Sequence, residues 1–386
     1  MNFEFATANR ILFGNGQLFE IGPLLADWGR QALVVIGSST LRAEPLLDVL
    51  RRHQIDFSLF NVVGEPTTDL VRQGAGLARR ENCQFVIGLG GGSVLDSGKA
   101  IAALLTNGGD PLDYLEVIGR GQPLRQPAAP YLAIPTTAGT GAEVTRNAVL
   151  ESPEHRVKVS LRSPFMLPAL AVVDPELTLT LPPPLTASTG LDALTQLIEP
   201  YVSVKANPLT DALCLDGLQR AAWALGRAYA DGDDLPARED MALASLFGGL
   251  ALANSKLGAV HGFAGVVGGM FDAPHGAVCA ALLPAVVATN LKALRLRQPD
   301  GEALARYGEI GQILTGMAEA TPEDGLVWLE RLVEELNILP LRAYGLSEAD
   351  FPELIDKAAA SSSMQGNPLQ LTREELQEIL ELAWER

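Results

Sequence analysis

Cysteine is scarce in this chain of 386 residues: Cys83, Cys214 and Cys279 lie far apart with no CxxC spacing. That excludes a disulfide framework and argues against a cysteine-held zinc, so three buried, reduced thiols are expected. Histidine is nearly as scarce, at four residues. Basic residues are outnumbered, with 29 Lys plus Arg against 46 Asp plus Glu, and the net charge of -17 repels phosphate backbones and anionic lipid heads. Nucleic acid is thereby excluded as a partner. No basic-then-apolar N-terminal segment reads as a signal peptide, and the longest apolar stretches are interrupted by Gly, Pro or polar residues before they span a bilayer. A cytoplasmic protein with no membrane partner is expected.

What is present divides near the middle. Up to about residue 180, short β-rich runs such as ALVVIG (32–37), FVIGLG (85–90), YLAIP (131–135) and LAVVD (170–174) alternate with helical patterns. That rhythm predicts βαβ units around a mainly parallel sheet. From LPPPLTASTG onward, Ala/Leu-rich segments with helical spacing continue to the end. With 47% hydrophobic residues the chain can bury two cores, so an α/β domain over residues 1–183 and an all-α domain over 184–386 are expected. Pro182, Pro183 and Pro184 read as the hinge, because consecutive prolines neither continue a helix nor pair in a central strand.

In VIGLGGGSVLDSGKAIA (86–102) a buried strand ends in Gly90, Gly91 and Gly92, and a helix is expected to open at Ser93. Unpaired backbone N–H groups and the positive end of the helix dipole then meet at one spot that suits a phosphate. The same residues also fit a tight turn with Ser93 and Asp96 forming a capping box. A second loop, PTTAGTGAE (135–143), offers Thr136, Thr137 and Thr140 as donors to ribose or phosphate oxygens. Two such loops at strand C-termini favour a dinucleotide. After the first β-rich run, ALVVIG, Gly37, Ser38 and Ser39 stand where an acid would repel a 2′-phosphate, with Arg42 beyond. This tips the expectation from NAD towards NADP, unless Ser39 or Thr40 is merely a helix cap.

In TGLDALTQLIEPYVS (189–203), Leu191, Leu194, Leu197, Ile198 and Tyr201 share one helix face while Asp192 and Gln196 lie nearly opposite. Either that pair faces water or it faces a ligand. Two of the four histidines, His261 and His275, fall in one apolar, glycine-rich stretch, LGAVHGFAGVVGGMFDAPHGAVCAALLP (257–284). Together with a carboxylate they make a sufficient set for a catalytic Fe(II) or Zn(II) with an open position. His53 and His155 sit in charged surroundings and read as surface residues.

GLGGGSVLDSGKA, IPTTAGTGAEVT, VDPELTLTLPP, TASTGLDALTQLIEPYVS and VHGFAGVVGGMFDAPHGAVCAALLP resemble, in order, the motifs of the iron-containing (group III) alcohol dehydrogenase family. The resemblance implies a dinucleotide-binding domain, a helical metal-binding domain and a catalytic cleft between them. It implies that Gly90, Gly91, Gly92 and Ser93 hold the pyrophosphate with Asp96 and Lys99 nearby. Thr136, Thr137 and Thr140 would border the ribose and nicotinamide, and Lys158 would lie near the cofactor. Asp192, His261 and His275 match three of the family's four metal-ligand positions; the fourth is Gln196, where the family has histidine. Gly265 likewise stands where many members carry a second histidine, opening space and removing a proton carrier. Met270 and Phe271 are candidates for the substrate pocket.

The implied activity is reversible hydride transfer between NAD(P)(H) and a small alcohol, aldehyde or ketone, in a homodimer or higher oligomer. Three other readings compete: a metal-independent reductase like the maleylacetate reductases, a dehydroquinate-synthase-like lyase, and a non-catalytic dinucleotide-binding descendant.

Overall fold

The computed structural model describes residues 2–155 and 157–385. The chain forms two compact units: Ala6–Thr137 with Gly141–Thr178, and Leu179–Arg386 with Met1–Phe5 and Ala138–Thr140. Helices of nine residues or more are numbered here.

The first unit is built on a six-stranded parallel sheet. Its strands are β1 (Ile11–Phe13), β2 (Gln31–Ile36), β3 (Asp56–Asn61), β4 (Phe85–Gly90), β5 (Tyr131–Pro135) and, after an antiparallel hairpin of β6 (Asn147–Ser152) and β7 (Val157–Arg162), β8 (Leu170–Val173). The order across the sheet is β1-β8-β5-β4-β2-β3. Both faces are covered, which is why the central strands read as near-continuous apolar runs. Leu33, Val35, Val86, Tyr131 and Ala133 pack with α2 (Thr68–Arg80), α3 (Gly92–Asn107) and the hairpin; Val34, Ile36, Ile87, Leu132 and Ile134 pack with α1 (Glu44–Arg52) on the other face. From β2 the chain goes first to β3 on one side and then to β4 on the other. The reversal makes the C-terminal ends of β2 and β4 the topological switch point, where doubly wound sheets take ligands.

The α3 helix lies unusually close to the sheet. A Cβ on Gly98 would stand 2.7 Å from the Tyr131 ring, whose hydroxyl donates to the Leu95 carbonyl at 3.0 Å. The helix opens at Gly92, not Ser93, with Gly91 as an N-cap that offers no side-chain bond. The Ser93–Asp96 capping box is therefore absent. Asp96 accepts instead from the Val149 N–H at 3.0 Å and pairs with Lys99. The Lys99 ammonium donates to Ala142 O (2.9 Å), Thr145 Oγ1 (2.8 Å) and Asn147 O (2.5 Å), which uses its three protons to tie α3 to the segment after β5.

The second unit is helical. It comprises α4 (Pro183–Val202), α5 (Pro208–Ala230), α6 (Leu235–Asn254), α7 (Ala259–Phe271), α8 (His275–Arg297), α9 (Glu302–Thr315), α10 (Pro322–Glu335), α11 (Phe351–Ala359) and α12 (Arg373–Glu385). α4 is its axis, with α5, α6 and α8 against it. The prolines expected to form a hinge start this helix. Pro182 is the extended N-cap, and Pro183 and Pro184 fill the first helical positions, where a missing N–H costs no hydrogen bond. By length and composition alone α8 could cross a bilayer, with a mean hydropathy of 1.7. Its most apolar stretch is 89% buried within the protein, as in a core helix.

Glu143, beside Lys99, is buried, and that burial lifts its carboxyl from the ordinary 4.5 to about 7. The folded state therefore keeps a proton that the unfolded chain releases, so this group's contribution is full below pH 4.5 and is lost as pH rises through about 7. A shift of this size corresponds to about 3 kcal/mol. Glu143→Gln is expected to lose less stability than the parent chain as pH is raised across that window. Denaturant melts at each pH measure the difference, and parallel curves would contradict it.

Candidate metal centre

Asp192, Gln196 and Glu199 follow one another along α4 at i, i+4 and i+7, which places them on one face. They are 1%, 2% and 5% exposed, so the alternative in which the first two face water does not hold. The apolar face of α4 is buried too. Its polar face meets the starts of α7 and α8, which carry His261 and His275.

Two glycines permit this approach. A Cβ on Gly276 would sit 2.7 Å from the Ser188 carbonyl, so only glycine lets the first turn of α8 rest on the α4 backbone. A Cβ on Gly258 would stand 2.8 Å from Glu199 Oε1. Without it, the Glu199 carboxylate reaches the positive end of α7 and accepts from the Val260 N–H at 2.7 Å. Its other oxygen lies 2.7 Å from His261 Nδ1. In the neutral ring, donation from Nδ1 puts the lone pair on Nε2, the nitrogen that faces Asp192.

His261 Nε2 and Asp192 Oδ1 are 3.3 Å apart, but neither atom makes a hydrogen bond. His275 Nε2 lies 3.9 Å from the same oxygen, and Cys279 Sγ lies 3.6 Å from His275 Nε2. One donor atom from each of Asp192, His261, His275 and Cys279 falls within 4.8 Å of all the others. Gln196 Oε1 is a third buried atom without a partner. An orphaned buried polar atom costs about 1–3 kcal/mol. Two oxygens and an imidazole nitrogen orphaned on neighbouring side chains are what a cation site leaves when only its protein atoms are considered. The donor set fits a divalent metal. The His275 side chain is 40% exposed and marks the open side.

Charge is concentrated here. Burial alone would raise the Asp192 carboxyl, but the His261 and His275 rings and the Gln196 amide outweigh it and hold it below the usual carboxylate range. Burial likewise opposes charge on His261, yet Cys279, Asp192 and Glu199 hold its pKa well above the ordinary histidine value. His275, next to the Cys279 sulfur and facing Asp192, is pushed up to about 9.

The sequence-predicted cofactor residues gather at the sheet. Gly37, Ser38 and Ser39 follow β2, and the Gly37 carbonyl accepts from Asn61 Nδ2 at 3.0 Å. Gly90, Gly91, Gly92 and Ser93 join β4 to α3, and Thr136 and Thr137 follow β5. The Thr136 N–H donates to the Gly90 carbonyl at 3.0 Å, so these two loops stand side by side. Thr140 belongs to the helical unit. Lys158, on β7, is nearly buried and paired with Glu65 at 3.2 Å. His53 and His155 are exposed, as expected. Glu199 and Cys279 escaped the sequence reading. The only signals were spacing: Glu199 one turn beyond Gln196, and Cys279 four residues after His275.

The chain is similar to known proteins over nearly its whole length. The family model described as iron-containing alcohol dehydrogenase matches residues 8–175, and that of the Fe-containing alcohol dehydrogenase family, C-terminal, matches 186–384. The chain is 37% identical to alcohol dehydrogenase 4 of Schizosaccharomyces pombe, over 96% of this chain and 87% of the relative. It is 35% identical to 1,3-propanediol dehydrogenase of Klebsiella pneumoniae over 99% of both. A crystal structure of 1,3-propanediol oxidoreductase is similar with a TM-score of 0.91 and 34% identity, covering 99% of this chain and 100% of that one.

Glu199→Gln is expected to weaken divalent-metal binding by about 10–100-fold, since it removes the charge that fixes His261. Calorimetric titration of the chelated protein reads this directly, and an unchanged affinity would show that Glu199 serves only the α7 terminus. Because imidazole must shed its proton to ligate, the parent's affinity should rise as pH climbs towards the value of about 9 at His275.

Proposed function

The chain belongs to the iron-containing alcohol dehydrogenase family, and from that premise we propose how its own residues serve the reversible hydride exchange between NAD(P)(H) and an alcohol or aldehyde carbon. The observation that carries the reading is the convergence of buried, unbonded donor atoms on Asp192, Gln196 and His261, with His275 at their open side. Asp192, His261 and His275 would hold the divalent cation, Fe(II) or Zn(II), with Gln196 at or beside the fourth place. A cation bound there would supply Lewis-acid polarisation of the substrate oxygen, and a bound dinucleotide would supply the hydride chemistry. Asp192 supplies the negative charge, and Glu199, bonded at Nδ1 of His261, directs the ring's Nε2 inwards. Around the metal side chains, burial excludes water and strengthens every electrostatic contact.

Gly265 lies one turn beyond His261, and a Cβ there would meet nothing within 4 Å. The space admits a larger substrate, and with no second imidazole the alcohol proton leaves through water or a cofactor hydroxyl. At the sheet, the N-terminus of α3 and the Gly90–Gly92 amides hold the pyrophosphate. Thr136 and Thr137 in the adjoining loop face the ribose. The acid-free Gly37-Ser38-Ser39 turn admits a 2′-phosphate, so NADP is accepted alongside NAD and preferred to it.

Thorough chelation is expected to abolish aldehyde reduction, and Fe(II) or Zn(II) to restore it. His261→Ala should lower kcat/KM by about 100-fold or more, because a Lewis acid contributes several kcal/mol. Full activity in metal-free protein would refute the metal's role and favour a metal-independent reductase; turnover without net oxidised or reduced cofactor would favour a lyase. Ser39→Asp should depress kcat/KM with NADPH more than with NADH. Equal losses would place cofactor choice elsewhere.

A further inference from the structure

We propose that Cys279 supplies a thiolate as the fourth protein donor to the cation held by Asp192, His261 and His275, while Gln196 braces the Asp192 carboxylate. This rests on the metal reading above and deepens it. In a tetrahedral centre with bonds of about 2.0–2.3 Å, donor atoms stand about 3.3–3.8 Å apart. The separations here are 3.3 Å from His261 Nε2 to Asp192 Oδ1, 3.9 Å from His275 Nε2 to Asp192 Oδ1, and 3.6 Å from Cys279 Sγ to His275 Nε2. All four donors lie within 4.8 Å of one another. One ion can therefore reach every member after small side-chain adjustments.

The unpartnered Asp192 Oδ1 and His261 Nε2 give independent support, since both are buried and belong to this same cluster. Cys279 is one helical turn after His275 on α8 and is fully buried, so its sulfur forms the inner wall of a site whose mouth is His275. A carboxylate and a thiolate together balance a divalent charge inside a buried site, which a neutral amide does not. The thiolate also biases selection towards Zn(II) over harder ions. Binding forms one sulfur–metal bond and releases the thiol proton to solvent; no electron moves.

Chelated protein titrated with Co(II) tests the assignment without relying on activity. At one equivalent, the parent chain should show thiolate-to-cobalt charge-transfer absorption in the near ultraviolet. The band should persist in Gln196→Ala and vanish in Cys279→Ser and Cys279→Ala, which should still bind cobalt with affinity lowered about 10–100-fold. The parent spectrum alone is decisive if those variants fold poorly. Visible cobalt absorption from one bound ion without the near-ultraviolet band overturns the thiolate while leaving the metal reading in place. A band that survives Cys279→Ser does the same. No uptake of Co(II), Zn(II) or Fe(II) by the parent chain overturns the metal reading itself.

Discussion

The carboxylate of Glu199 joins three things that must be settled together: the face of α4, the N-terminus of α7 and the orientation of the His261 ring. A charged group buried this deeply is tolerated only when its oxygens are bonded, and here each oxygen has a donor. One bond satisfies an otherwise orphaned amide at the helix start. The other fixes the tautomer that leaves Nε2 available. Behind it, Asn367 carries the support further into the unit: its Oδ1 accepts from the Ala259 N–H, and its Nδ2 donates to Asn290 Oδ1. The candidate metal cluster thus inherits its rigidity from helix capping and is not left to flexible side chains.

Much of the fold was legible because the sheet is buried on both faces. Runs such as FVIGLG and YLAIP have no polar interruptions, and they coincide with β4 and β5. The glycine loops were legible for a related reason, since chain reversal at a strand end needs small residues whatever the rest of the protein does. Local motifs fared worse where tertiary partners competed for the same side chain. Asp96 has the spacing of a capping residue, but it is taken by Lys99 and the Val149 amide. The three prolines illustrate the same limit: they forbid helix before them and favour it after them, and sequence alone did not say which would dominate.

At the metal cluster, the histidines stood out by rarity and Asp192 by its place on the wrong face of an amphipathic helix. Glu199 and Cys279 had neither mark. Glu199 falls in the same polar stripe as Asp192, but only the arrival of α7 gives it a role. Cys279 was set aside because metal-binding cysteines usually announce themselves in closely spaced pairs. A single thiol supplied by a helix that already carries a histidine needs no second cysteine, and its i+4 relation becomes informative only once the histidine is known to point inwards.

The cluster also sets a thermodynamic condition on the helical unit. Asp192 Oδ1, Gln196 Oε1 and His261 Nε2 lie unbonded in the centre of its packing, and the α6 backbone comes so close to Gln196 that a Cβ on Gly248 would stand 3.1 Å from the glutamine's own Cβ. Such tight packing leaves little room for these groups to turn away and find other partners. At about 1–3 kcal/mol for each orphan, the penalty is comparable to a large fraction of the stability of an ordinary domain. A ligand that satisfies Asp192 Oδ1 and His261 Nε2 in the folded state, and has no equivalent site in the unfolded chain, would return their share of that free energy to the fold. The polarity that weakens the core is therefore the same property that would give the proposed site its affinity, and replacing these residues by apolar ones would gain stability only by giving up the proposed cation.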